Sequence, residues 1–425
     1  MKVEQALRVL PGLEVLAPLR GLLFASAISE QGDWATTAQS LTLGKREVSS
    51  EEMRQRLADV LDRVVAHYSV LYDAYVRAIE CLEKGEPSGA VRCLREAAAR
   101  EEESGRLPQA RVWLGAALGI AKGLTTREPE IETLLVLGRL SAELGSLPEA
   151  ARHFTRALGH AEAESRWALA VAASEGLGKA AVERADWEGA TNHYAHALRL
   201  AERAGDERLV AQALHSQGDL ARRTGALHDA TDRLRMAHER FELLMDGQDM
   251  ARVLTTEALV LADLGEPARA AIAYREALAW TLRGAREPET EVFIRINFAR
   301  LHLETASFLE AEEELRRAEA IAIESTLMRQ LVQIYGMLGK LRGRQHDSAG
   351  FVFFEQAIDL ARMIGRLPGV EAELYQDYAA FKYAVGEPDE ADAYLDRAQK
   401  IRADWAERLA VSGGRRATDL TGAIS

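Results

Sequence analysis

Apolar and polar positions follow a helical period along most of this chain, and the pattern itself recurs about every 40 residues. Each copy has a turn residue, an alanine five positions later (Gly350 in the seventh copy), a bulky residue four positions after that, and then a second alanine. The clearest copy is Gly145, Ala150, Phe154 and Ala157. Eight copies in register end at Ala117, Ala157, Ala197, Ala237, Ala277, Ala318, Ala357 and Ala398. This regularity predicts stacked repeats rather than separate globular domains.

Within each copy the spacing predicts two amphipathic helices of about 17 residues joined by short turns. The turn residues between the two helices are Gly105, Gly145, Ala185, Gly225, Gly265, Ala306, Gln345 and Gly386. A small residue is also periodic inside the first helix, at Ala98, Gly138, Gly178, Gly218, Ala258, Ala299, Gly339 and Ala379. Because glycine in mid-helix costs about 1 kcal/mol relative to alanine, we expect the paired helix to approach the backbone closely at these positions.

This set of positions resembles the tetratricopeptide-repeat family, whose signature is a small residue in the first helix, a turn glycine, and alanines around a bulky residue in the second. The resemblance covers residues 88–408. The repeats are about six residues longer than the common unit of the family and are similar to those of bacterial regulatory proteins. The resemblance implies an all-α fold: a right-handed superhelix of about eight helix pairs with a helical N-terminal cap. It also implies a concave face, lined by the first helices, on which ligands bind.

The segments outside the repeats differ in pattern. Residues 1–48 are predicted to form short helices, and residues 49–87 one long helix. Apolar residues of the long helix alternate four and three apart, at Leu57, Leu61, Val64, Tyr68, Leu71, Tyr75, Ala78 and Leu82. This heptad pattern predicts either a helix that caps the first repeat or a homodimeric coiled coil through residues 53–82. Residues 409–425 are predicted to be a disordered tail.

Composition narrows the classes of function. The hydrophobic fraction of 48% is sufficient for a buried core, and the net charge of −13 argues against nucleic acid as a direct partner, since its phosphates need a basic surface. Cys81 and Cys93 are too few for a disulfide scaffold, and we expect both to be reduced. No uncharged apolar run could span a membrane and the N-terminus lacks an export signal, so the sequence predicts a cytoplasmic protein without a membrane partner.

Candidate catalytic chemistry is sparse. The chain contains no phosphate-binding loop, no nucleophile elbow and no His-Glu-x-x-His helix, so we predict neither catalytic residues nor a cofactor. His193 with His196, and His215 with Asp219, have spacings that place two groups on one helix face. A zinc site needs a third or fourth ligand, so we expect hydrogen-bonded or solvated histidines rather than a metal site.

The position after the periodic small residue is expected to face the concave side. It is basic in four of eight copies, at Arg139, Lys179, Arg300 and Lys340, and Arg95 and Arg222 fall on the same face. This pattern predicts a basic stripe that binds an acidic or C-terminal carboxylate segment of a partner. The alternative is that these residues pair with neighbouring acidic residues such as Glu102, Glu143 and Glu183.

A second candidate surface lies on the first helix of the sixth copy. Phe293, Ile296, Arg300 and Leu303 share one helical face, which either suits an amphipathic peptide or packs against the next repeat. Chaperone-binding members of the family hold a terminal carboxylate with asparagines beside lysines, and Asn297 is the only asparagine in a predicted first helix.

Together, these patterns predict a non-enzymatic scaffold or adaptor that binds a protein or peptide in the groove. The alternative is a peptide-sensing signalling regulator, because bacterial Rap-type regulators have a similar layout of an N-terminal helical unit ahead of long-period repeats.

Overall fold

A computed structural model describes residue 71 and residues 73–103, 107–245, 247–283, 287–364 and 368–413. Every regular element within these ranges is a helix. A helical stretch over residues 73–83 is followed by sixteen helices. The first eight are α1 (Pro87–Glu103), α2 (Leu107–Ala121), α3 (Glu128–Glu143), α4 (Leu147–Ala163), α5 (Trp167–Val182), α6 (Trp187–Ala204), α7 (Glu207–Arg223) and α8 (Leu227–Leu244). The others are α9 (Gly247–Asp263), α10 (Pro267–Thr281), α11 (Pro288–Glu304), α12 (Phe308–Glu324), α13 (Met328–Arg344), α14 (Gly350–Ile364), α15 (Pro368–Ala384) and α16 (Pro388–Gly413).

These helices belong to two compact units. The first unit ends at Leu144 and also includes Gly159–Glu164; the second includes Gly145–Leu158 and continues from Ser165. In the first unit, α1 packs against α2, and both contact α3. In the second unit, α5 to α16 pack as six consecutive pairs, and the first helix of each pair also contacts the first helix of the next. The two-helix unit predicted from the sequence is therefore present in both.

The core of a repeat forms where a bulky residue of the second helix lies on the small residue of the first. A Cβ atom added to Gly178 would lie 2.5 Å from Cε1 of Tyr194, and one added to Gly339 would lie 2.7 Å from Cδ2 of Phe354. Both rings are buried, with exposed fractions of 5% and 0%. Burying such a ring contributes roughly 2 kcal/mol or more, which exceeds the cost of a mid-helix glycine. The close approach expected from the periodic glycines is confirmed at these positions.

Left-handed residues end the helices at both turns of a repeat, about every 20 residues along the second unit. Among the described residues from Gly145 onward, those with positive φ are Gly145, Ser165, Ala185, Gly205, Gly225, Met245, Gly265, Ala306, Thr326, His346 and Gly386. The sequence identified only one of the two turns in each repeat. It also placed the turn residue of the seventh copy at Gln345, which is wrong by one position, because Gln345 has φ −86° and His346 has φ 55°. Gly105 lies outside the described residues.

The ends of the chain are described in part. Leu71, Tyr75 and Ala78 of the heptad pattern are buried within the single chain, which favours a capping helix over an exposed dimer seam at these positions. Leu57, Leu61, Val64 and Tyr68 lie outside the described residues, as do residues 1–48. At the other end, α16 continues to Gly413, past the predicted start of the tail at 409, and residues 414–425 are outside the described part. No helix in the described ranges is long and apolar enough to cross a membrane.

The packing of Tyr194 on Gly178 predicts that Gly178→Ala destabilises the protein, although alanine is the better helix former. The added Cβ would overlap the ring, and overpacking of this kind costs about 1–3 kcal/mol. The matched control is Gly115→Ala in α2, where a Cβ meets nothing within 4 Å. Its free energy of unfolding, measured by urea denaturation, should stay constant or rise by up to about 1 kcal/mol, because alanine is the better helix former. Equal midpoints for both variants would contradict the packing explanation.

Candidate functional site

The first helices α11, α13 and α15 of the second unit enclose an open cavity of about 660 Å³. The lining side chains recur three and four positions apart on each helix, so each helix presents one face to the cavity. Its floor is apolar, with Ile296 and Leu303 from α11 and Leu374 and Phe381 from α15. Its rim is charged and mixed in sign, with Arg300, Glu304, Lys340, Arg344, Glu373 and Asp377. We refer to this cavity as the α11–α15 groove.

Two glycines of α13 allow the side chains of α15 to approach closely at the floor of the groove. A Cβ on Gly336 would lie 3.2 Å from Cδ1 of Leu374, and one on Gly343 would lie 2.9 Å from Cδ2 of Phe381. The apolar side chains of α15 therefore rest almost on the backbone of α13. Larger residues at these two positions would push α15 away or fill the floor, so the small residues determine the shape of the cavity.

Lys340 and Asp377 form an ion pair across the groove, with Nζ 2.7 Å from Oδ2. Burial raises the pKa of the Asp377 carboxyl, while the hydrogen bond from Lys340 and the charges of Lys340 and Arg300 act in the opposite direction. On the neighbouring rim, Nη1 of Arg344 donates to the carbonyl oxygen of Leu303 at 3.4 Å. Lys340 is therefore paired with a carboxylate, whereas Arg344 contributes one hydrogen bond to a carbonyl and makes no ion pair in the described ranges.

Arg300 has the fewest contacts among the cations of the groove. Its side chain is exposed, and it makes no ion pair and no side-chain hydrogen bond with any residue that the structure describes. Arg344 is also exposed and without an ion pair there, but it donates to the carbonyl oxygen of Leu303. Two turns earlier on the same face of α11, Phe293 is 51% exposed. Helix α11 thus presents an aromatic ring and a guanidinium group without an ion-pair partner along one line beside an apolar floor.

Most of the predicted basic stripe is paired internally. The cation–carboxylate pairs are Arg95 with Glu132, Arg139 with Glu102 and Glu143, Arg222 with Asp219 and Asp263, and Lys340 with Asp377. Each of these four basic side chains forms an ion pair with an acidic residue of an adjacent first helix. Lys179 and Arg300 are the two members for which the described part of the chain provides no ion pair. Arg95 and Arg139 belong to the first unit, and the others to the second.

The structure separates the predicted groove residues of α11. Ile296 and Arg300 line the cavity, whereas Phe293 lies outside the lining set. Asn297 is buried, and its Nδ2 donates to the carbonyl oxygen of Phe293 at 2.8 Å on its own helix. The prediction that Asn297 is a groove residue therefore has no geometric support, because its amide hydrogen-bonds within its own helix and its side chain is buried.

Sequence reasoning missed a polar network between α5, α7 and α9. Asp249 is buried and accepts hydrogen bonds from Nε of Arg208 and Nε2 of Gln212, each at 3.1 Å. His215 Nε2 lies 2.8 Å from Thr256 Oγ1, and Ser216 hydrogen-bonds to Glu175. The partners are 37 or 41 positions apart in the sequence, which is close to the length of one repeat. That spacing is the signal in the sequence that could have identified them.

His215 is enclosed in this network. Burial lowers its pKa to about 4. The carboxylates of Asp219 and Asp249 oppose that shift, and the charges of Arg252 and Lys179 add to it. The ring is therefore neutral near pH 7, and its Nε2 forms an ordinary hydrogen bond with the hydroxyl group of Thr256.

The lowered pKa of His215 predicts that stability falls as the pH falls from 6.5 to 4. In that window the unfolded chain binds a proton on His215 that the folded chain does not, so acid favours unfolding by up to about 3 kcal/mol. His215→Gln should flatten the dependence of the urea midpoint on pH, whereas the exposed His228→Gln should leave it unchanged. If the urea midpoints of wild type and His215→Gln depended on pH in the same way, the lowered pKa of His215 would be contradicted.

Three solved structures share the fold of this chain. A Rap protein complexed with competence and sporulation factor matches with a TM-score of 0.55 and 14% identity, over 84% of this chain and 94% of that one. The Rap conjugation gene regulator of the plasmid pLS20, in complex with the Phr* peptide, matches with a TM-score of 0.51 and 17% identity, over 79% and 95%. Yeast Tom70 matches with a TM-score of 0.53 and 16% identity, over 75% of this chain and 59% of that one.

At these identities the likenesses show the fold alone. They confirm the all-α, tetratricopeptide-type repeat architecture predicted from the sequence. No protein-family model and no curated protein sequence matches the chain. Within the described residues, no group of three or more histidine, cysteine or acidic side chains is placed to hold a metal ion.

Proposed function

We propose that this tetratricopeptide-type repeat protein is a non-enzymatic interaction scaffold that binds a segment of a partner protein in the α11–α15 groove. The observation that carries the proposal is the combination of an apolar floor with a guanidinium group, that of Arg300, which has no ion-pair partner in the described ranges. A cavity of about 660 Å³ is within the size range of ligand pockets and could hold a few side chains of an extended or helical segment.

The charges of the groove specify the chemistry of the partner. Lys340 is paired with Asp377 and Arg344 donates one N–H to a carbonyl oxygen, so Arg300 is the cation of the lining whose N–H groups are all available to a carboxylate. The floor beside it suits an apolar side chain, and Phe293 extends the apolar surface along α11. The partner segment therefore carries an acidic group close to one or two apolar residues. A uniformly acidic segment fits less well, because Glu304, Glu373 and Asp377 lie on the same rim.

Peptide display against the full chain tests this proposal with a defined probe. Selected peptides should be enriched in an acidic residue next to apolar residues, and Arg300→Glu should weaken their binding about tenfold or more, since a charge-assisted pair contributes about 1.5–3 kcal/mol. The matched control is Arg235→Glu on α8, an exposed arginine remote from the groove lining. Peptides that bind Arg300→Glu as well as wild type, with both proteins folded, would contradict the proposal.

A peptide-sensing regulator of the Rap-like type is the second candidate. The observation that favours it is the shared fold of two Rap proteins, one complexed with competence and sporulation factor and one with the Phr* peptide. In this reading the groove binds a short free peptide, and binding changes the state of the protein rather than tethering a partner.

The two candidates differ in what a short peptide does to the whole chain. For a regulator, a display-selected peptide should raise the melting temperature by the linkage relation RT ln(1 + [L]/Kd) and also reduce the radius of gyration in X-ray scattering. For a scaffold, the melting temperature should rise in the same way while the scattering profile stays constant. Compaction that persists in Arg300→Glu would place the sensing site outside the α11–α15 groove.

A further inference from the structure

The two cysteines of this chain lie next to each other in the first unit. Cys81 is on the helical stretch 73–83, and Cys93 is on α1, and both are free thiols. The two side chains are in hydrogen-bonding contact. The chain has only two cysteines among its 425 residues, and both lie in one contact between neighbouring helices.

The turn between the two helices holds this arrangement. The N–H of Glu86 donates to the carbonyl oxygen of Cys81 at 2.8 Å, and the N–H of Gly85 donates to that of Leu82 at 3.1 Å. With Gly85 at φ 75°, this is a Schellman motif that ends the first helix and redirects the chain into α1. Cys81 is therefore held in the last turn of its helix, facing the start of the next one.

Space on α1 is provided by a glycine. Gly89 lies one turn before Cys93, and a Cβ added there would lie 2.9 Å from Sγ of Cys81. The missing side chain lets the Cys81 sulfur settle on the surface of α1 beside Cys93. Arg77 and Glu96 join the same two helices by an ion pair of 3.7 Å, one turn away from each thiol.

The two thiols differ in access. Cys93 is 6% exposed, whereas Cys81 is partly exposed. Burial raises the pKa of the Cys93 thiol, and Cys81 and Glu96 raise it further while Arg77 opposes them. A soluble oxidant therefore meets Cys81 first, and Cys93 is positioned to react with the product.

We propose that Cys81 and Cys93 form a reversible, redox-controlled disulfide. With a peroxide as oxidant, the Cys81 thiolate attacks one peroxide oxygen and becomes a sulfenic acid, and the O–O bond breaks to release hydroxide. The Cys93 sulfur then attacks the sulfenic sulfur, the S–S bond forms, and the leaving hydroxyl group takes the proton of the Cys93 thiol to become water. The proton of the Cys81 thiol likewise converts the hydroxide of the first step to water. The sum is two thiols plus hydrogen peroxide giving one disulfide plus two waters.

The disulfide would join the helical stretch 73–83 covalently to α1 across their short turn. It thereby fixes the segment that precedes the first repeat, at a site remote in sequence from the α11–α15 groove. The inference stands independently of the proposed function.

Mild oxidation of the full chain with hydrogen peroxide, followed by alkylation and intact-mass measurement, tests the proposal. Wild type should lose two hydrogen masses and both alkylation sites, and dithiothreitol should restore them. Cys81→Ser and Cys93→Ser should show no such loss. Proteolytic mapping should recover one peptide pair linked through Cys81 and Cys93, and the melting temperature of oxidised wild type should exceed that of the reduced form.

Gly89→Ala is the matched variant that keeps both cysteines. Its added Cβ displaces the Cys81 sulfur, so the disulfide should form several-fold more slowly while the circular dichroism of the reduced protein stays the same. Phenylarsine oxide, which bridges two close thiols, should bind reduced wild type and neither serine variant. Two fully alkylated thiols after oxidation, or linkage only between separate chains, would overturn the proposal.

Discussion

The packing of a bulky side chain on a small residue of the paired helix sets the distance between the two helices of a repeat. Where the small residue is glycine, as at Gly178 and Gly339, the ring of the second helix lies almost on the backbone of the first. At these glycines the contact leaves no room for a Cβ atom, and at the same register of other pairs the small residue is alanine, as at Ala258 and Ala299. Neighbouring pairs can then stack in the same way, because each presents the same surface to the next.

Contacts between successive first helices are more polar. Arg139 with Glu102, His215 with Thr256, and Lys340 with Asp377 each join residues one repeat apart. Partly exposed ion pairs contribute little to stability, typically below about 1 kcal/mol, so their main effect is to favour one lateral register between helices. In the α11–α15 groove this pairing is incomplete: Lys340 pairs with Asp377, whereas Arg300 meets no acidic partner in the part of the chain that the structure describes.

Particular residues show how far sequence could predict this site. The inward position of Arg300 and Lys340 follows from register alone, and both line the cavity. The pairing of Lys340 with Asp377 could not be derived, since it depends on which of several acidic residues of α15 faces α13. Asn297 shows the same limit: one step along a helix rotates a side chain by about 100°, which was enough to turn its amide away from the groove.

The amino-acid sequence by itself determined the helix-pair repeat and the close approach at its glycines, because these depend on local periodicity and on the volume of a side chain. It also brought Cys81 and Cys93 to neighbouring helices, through a turn that only a few residues specify. The tertiary structure alone decided which charges neutralise one another, where a cavity remains, and that the two thiols touch. Those outcomes depend on the rotation and lateral offset of packed helices, and no pattern within a single helix contains that information.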